Sequence, residues 1–98
     1  MNDAGFRLIL FTAFLGAVRE GVRAIAYACD GHTLAIHVYL ARAPEPDDHE
    51  VVDIAITEVM AACPQIMQQD IVLQHTMAPI GRLPAHQGWI FVRSEAGA

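Results

Sequence analysis

Five histidines, two cysteines and one serine are the side chains of this 98-residue chain that could carry nucleophilic, acid–base or metal chemistry. None falls in a spacing that such chemistry requires. His32 and His37 are separated by an odd number of positions in what reads as one strand. They therefore point to opposite sheet faces and cannot chelate one ion. His49 belongs to an acidic first helical turn, an exposed setting, while His75 reads as strand and His86 as loop. No motif places a histidine beside Ser94 or either thiol to activate a nucleophile. Adjacent Asp47 and Asp48 are better explained by helix capping than by acid–base work. No glycine pattern resembles a phosphate loop or a dinucleotide fingerprint. The sequence predicts no catalytic residue, no metal ligands and no cofactor, and it argues against an enzyme.

Charge is the more informative feature. Acids outnumber bases 11 to 6, lysine is absent, and the formal net charge is −5. A generic binder of the phosphate backbone needs the opposite balance, so direct nucleic-acid binding is not expected. Glu45, Asp47, Asp48, Glu50, Asp53 and Glu58 form a run of six acids uninterrupted by Lys or Arg. The rest of the chain holds five acids and six bases. One segment thus carries the whole excess. A field of one sign steers a basic partner and speeds encounter. The plainer reading is a solvated helix face whose acidic first turn complements the helix dipole. Both stay open.

Composition sets the frame for these residues. At 54% apolar and 17% charged, the chain is far from the low-hydrophobicity, high-charge regime of disorder. Its length suits one domain, residues 1–98, with a single core. Cys29 and Cys63 lie 34 positions apart in no zinc or CxxC pattern, as expected of two buried thiols in a reducing compartment. The apolar run from Leu8 to Val18 has 11 residues, too few for the roughly 20 of a spanning helix. Asp3 occupies the would-be basic end of a signal peptide. A cytoplasmic protein without membrane contact is expected.

Six elements in the order α-β-β-α-β-β must position the acidic segment. Phe6, Ile9, Leu10, Ala13, Phe14 and Ala17 recur at the helical period and predict a first helix from about Ala4 to Val18. Phe11 and Leu15 widen its apolar stripe almost all round. Such a helix needs cover on several sides, from its own sheet and the second helix or from a partner. Asp30-Gly31 between two strand-like runs predicts a type I′ hairpin. That turn would set Cys29 opposite His32, Tyr27 opposite Leu34, Ile25 opposite Ile36 and Arg23 opposite Val38, one large apolar face. The other face becomes a smooth floor of Ala24, Ala26, Ala28 and Ala35 carrying His37 and Tyr39.

Pro44 and Pro46 break the chain before the second helix. Asp47 and Glu50 have the D-x-x-E spacing of a capping box. Val51, Val52, Ala55, Ile56, Val59 and Met60 form its buried stripe, and Pro64 stops it near Ala62. A strand follows around Ile71-Val72-Leu73, then a loop over Ala78–Gly88, then a last strand from Trp89 to Ser94. The expected fold is an α+β two-layer sandwich, a four-stranded, mainly antiparallel sheet with two helices on one face. The small-residue floor would then stand open to a partner.

Four pieces in this order carry a resemblance: Ala13-Phe14-Leu15-Gly16-Ala17-Val18, Val22-Arg23-Ala24-Ile25, Thr57-Glu58-Val59-Met60-Ala61 and Trp89-Ile90-Phe91-Val92-Arg93. Together they resemble the short CdiI-type immunity proteins of contact-dependent growth inhibition systems. The resemblance implies an inhibitor that binds a cognate CdiA C-terminal toxin domain, usually a nuclease, as a 1:1 complex in the cytoplasm. Under that reading Glu45, Asp47, Asp48, Glu50 and Asp53 complement the charge of the toxin, and His37 and Tyr39 add a second contact set on the open floor. Two rivals remain. One is a homodimeric regulatory module joined through Ala24, Ala26 and Ala35, and the other a ligand binder using the Ala78–Gly88 loop with His75 and Trp89.

Overall fold

The computed structural model describes residues 3–95, so both ends of the expected 1–98 unit lie outside the described residues. Helix α1 spans Asp3–Phe14, strands β1 and β2 span Val22–Asp30 and Thr33–Leu40, and helix α2 spans Pro46–Ala62. Strand β3 covers Gln68–His75 and β4 covers Gly88–Val92, with a single 3-10 turn at Ile80–Arg82 between them. The sheet order is β3-β2-β1-β4. β1 runs antiparallel to both of its neighbours, while β3 joins β2 in parallel. A parallel neighbour demands a crossover, and α2 supplies it. The predicted α+β order and mainly antiparallel sheet are therefore found, with one parallel pair.

Both helices cover the same sheet face. Leu10 and Phe14 of α1 and Val52, Ala55, Ile56 and Val59 of α2 meet Ile25, Tyr27, Leu34, Ile36 and Val38 in one buried cluster. The α2 residues recur at three- and four-residue spacing, so one stripe faces inward. Pro46 sits in the first turn, where its missing amide costs no hydrogen bond. Cys63 leaves helical geometry because Pro64 crowds the residue before it.

Four local expectations are corrected. Helix α1 ends at Phe14 rather than Val18, the chain turning at Leu15-Gly16 so that Ala17 can be buried and Arg19 can reach Asp48. The helix-capping pair is not Asp47 with Glu50. The cap is Glu45, whose amide donates to Asp48 Oδ2 at 2.8 Å, because Pro46 as the first helical residue moves the cap two residues earlier. The hairpin turns at Gly31-His32, with Asp30 opposite Thr33. Gly31 alone there takes a positive φ, 61°, the φ pattern of a II′ turn with glycine first rather than I′. The register thus shifts by two residues, which preserves the faces. Tyr27 meets Ile36, and Ile25 meets Val38.

Arg23 is the fourth. It does not join the core face, because a bulge between Val22 and Ala24 makes it the extra residue on β1. Its buried guanidinium donates through Nε and Nη2 to Glu95 at 2.9 and 2.8 Å and through Nη1 to the Thr76 carbonyl at 2.7 Å.

The second sheet face is covered over part of its area, contrary to the open floor expected from the element count, while Ala28, Ala35 and His37 are half-buried. The segment between β3 and β4 folds back across it as a strap. Ala24, Ala26 and Tyr39 form a second buried cluster beneath Leu83 and Trp89. Tyr39 Oη donates to the Pro84 carbonyl at 2.7 Å, and the Tyr39 and Trp89 rings meet edge to face. Gln87 completes the edge of β1: its amide donates to the Tyr27 carbonyl, and its side chain exchanges two 2.9 Å bonds with the backbone of Cys29. A Cβ on Gly88 would come within 3.0 Å of the Tyr27 ring, so glycine lets the strap close against β1.

Candidate partner-binding surface

The acidic run divides at the first turn of α2 into an inward and an outward set. Asp48 points in and is 3% exposed. Arg42, the second residue after β2, grips it with two bonds of 2.7 and 2.8 Å, and Arg19 adds a third at 2.9 Å. The Arg42 hydrogen bonds, more than the Glu45 amide or the charge of Arg19, overcome burial and hold the Asp48 carboxyl at about 2. Arg42 in turn donates to the Glu20 carbonyl and passes over Gly21, whose φ is 90°. A Cβ on Gly21 would lie 2.6 Å from Arg42 Nε, so this corner requires glycine. Asp48 is thus a structural ion that ties α2 to the segments flanking the hairpin. It presents no charge to a partner.

The outward set is different in kind. Asp47 and Glu50 are exposed and make no ion pair or hydrogen bond among the described residues. Glu45 is also exposed and lies 3.1 Å from Arg42. Asp53 is half-buried and turned toward β3, where it accepts from the Gln69 side chain. Glu58, two turns below Glu50, is exposed and likewise unpaired among the described residues. The predicted acidic surface therefore keeps Glu45, Asp47 and Glu50 as solvent-facing charges, with Asp53 at its side and Asp48 removed from it.

Beside these acids lies an apolar surface that the sequence reading did not single out. Leu8 and Leu15 of the α1 segment are 66% and 78% exposed, and Ile54 of α2 is 55% exposed. Between the helices run two adjoining depressions of about 370 Å³ each. They share Thr12, Ala13 and Glu58 and so form one groove. The signal was present in the nearly all-round apolar stripe of the first helix. Sheet and second helix cover Leu10 and Phe14, and the outer side is left to solvent.

Of the second predicted contact set, Tyr39 is buried and His37 half-buried. Tyr39 is 2% exposed under the strap, and His37 stacks on His86 with ring centroids 3.7 Å apart. Burial, and then the neighbouring His86, push the His37 pKa down, against the opposing pull of Asp70. His86 takes a positive φ of 53° to make this stack. Of the homodimer surface expected around Ala24, Ala26 and Ala35, the same cover fully buries Ala24 and Ala26 and leaves Ala35 half-buried. His75 is exposed at the end of β3, whereas Trp89 belongs to the strap cluster. Cys29 is half-buried, Cys63 is buried, and neither is in a disulfide.

No group of three or more His, Cys, Asp or Glu among the described residues could hold a metal ion. No helix among them is long and apolar enough to cross a membrane. The arrangement offers features suited to recognition: unpaired carboxylates beside an apolar groove on a two-helix layer. No curated protein matches the sequence. A family model does, over residues 3–95, the whole span of the described residues: the protein belongs to the MafI2 immunity protein family.

Proposed function

We propose that this chain is a non-enzymatic inhibitor that binds a cognate toxin domain one to one in the cytoplasm, the toxin being a nuclease deployed between cells as CdiA-type toxins are. Membership of an immunity family carries the reading. The outward carboxylates Glu45, Asp47 and Glu50 support it. A domain that cleaves nucleic acid presents cations to phosphate, and a rigid row of carboxylates competes for them. Asp53 contributes from the side of the row. Asp48 contributes only by fixing the helix that carries the others.

Native mass spectrometry after co-expression with the toxin domain encoded immediately upstream tests this directly. The expected result is a 1:1 complex without nuclease activity. A free toxin domain beside an uncomplexed chain would reject the pairing. Reversal of Asp47 and Glu50 to Lys should slow association and flatten its salt dependence, while dissociation changes little. Equal association rates for variant and wild type at low salt would move the interface away from this edge.

A further inference from the structure

We infer that the groove between α1 and α2 is the anchoring site for the toxin, and that it takes a bulky apolar side chain flanked by Arg or Lys. The inference rests on the inhibitor reading above and adds the surface where most of the binding energy would reside. Leu8, Leu15 and Ile54 project beside a groove floored by small residues such as Ala13 and Ala17. Exposed aliphatic groups around a shallow, small-residue floor form a surface that gains by excluding water.

The chemistry of the occupant follows from Glu58. Its carboxylate lines both halves of the groove and has no partner among the described residues. Any apolar segment seated there desolvates Glu58, and a desolvated carboxylate needs a cation or strong donors. The occupant therefore brings positive charge next to its apolar anchor. Asp47 and Glu50, higher on the same helix and unpaired, extend that demand toward the helix start. A second copy of this chain meets it poorly: Arg7, the one Arg or Lys of α1 and α2, lies 5.6 Å from the centroid of its own Phe11 ring. Pairing the groove with itself across a two-fold axis would oppose like charges, in a chain of net charge −5. An anionic lipid surface would be repelled for the same reason. A basic protein segment satisfies both halves of the site.

The test uses the full chain and the purified upstream toxin domain. Leu8→Lys, Ile54→Lys and Glu58→Lys alter exposed positions that line the groove, and unchanged thermal melting will confirm that each variant folds. Met67→Lys and Met77→Lys serve as controls, because these side chains are equally exposed but lie outside the groove. Each groove variant should weaken the complex tenfold or more, mainly by faster dissociation, while the controls stay within twofold. If wild type binds and the groove variants bind equally well, the groove assignment is overturned and the inhibitor reading stands. If wild type itself fails to bind, both fall. Sedimentation of the chain alone should give a monomer. A dimer that Leu8→Lys dissociates would assign the groove to a second copy and overturn the proposal.

Discussion

The two faces of the sheet are covered in opposite ways. On one, two helices bury large aliphatic side chains in a continuous cluster, with Ile25, Leu34 and Ile36 of the sheet fully enclosed. On the other, an irregular strap lies over alanines, and its attachment is largely polar: Tyr39 to Pro84, Gln87 to Cys29, and the His37–His86 stack. Burial of Leu or Ile removes far more apolar surface than burial of Ala. The helical layer should therefore set global stability, and the strap should respond locally. The same contrast separates function from upkeep. The helical layer still presents apolar groups and free charge on its outer side, whereas the strap has already occupied part of the face that looked available.

Substitutions on the two sides can break or sharpen this division. Ile56→Ala empties a fully buried position between α2 and the sheet and should cost about 2–5 kcal/mol in urea unfolding. A loss below 1 kcal/mol would mean that the helical layer does not dominate. Asp48→Ala removes the ion that anchors α2. Breaking a fully buried pair costs about 3–5 kcal/mol. Arg42 and Arg19 both reach solvent, so about 2–3 kcal/mol is expected here. The Asp48 carboxyl lies below its ordinary 3.8 in the folded state. Its contribution is therefore present above that value and lost as pH falls toward about 2, and the variant should lack that part of the acid transition.

On the strap side, Ala26→Leu should overpack the second cluster and cost about 1–3 kcal/mol, with hydrogen exchange rising first between Pro79 and Trp89. Exchange rising equally in α2 would make the two faces one cooperative unit. Tyr39→Phe loses the bond to the Pro84 carbonyl and should cost about 1 kcal/mol. The smallest effect concerns His37. Its folded pKa is lowered, so its contribution is complete above the ordinary value of 6.5 and lost as pH falls through the folded value. Trp89 fluorescence should report strap loosening as pH falls below 6.5, and His37→Gln should remove that dependence. A pH response that survives the substitution would show that His37 is not its source.

Periodicity made the helical face legible, and its absence hid the strap. The apolar spacing of Val52, Ala55, Ile56 and Val59 specifies both a helix and its buried side, and strand alternation in β1 and β2 specifies which residues share a face. The turn was displaced by one position, yet those faces survived, because the pairing moved by two. The strap leaves no comparable trace. Its cover depends on Pro84 presenting a carbonyl, on His86 entering left-handed geometry and on Gly88 admitting Tyr27, and none of these has a period. The acidic site was half legible for a related reason. Sequence places Asp47 and Asp48 side by side as equals, while a rotation of about 100° per helical residue sends one to solvent and the other to Arg42 and Arg19. Only the partners, both outside the helix, tell them apart.

Arg23 carries one further consequence. Strands β3 and β4 form opposite edges of the sheet, and nothing in the ladder connects them directly. The Arg23 guanidinium does so from the centre, holding the Thr76 carbonyl just past β3 and the Glu95 carboxylate just past β4. The second of these closes a separation of 72 residues, a long loop whose closure is entropically costly. Opening at either margin releases the same cation and weakens the other, so the two margins should fray as a coupled pair. One bulged residue thus converts two separate ends into a single cooperative seam.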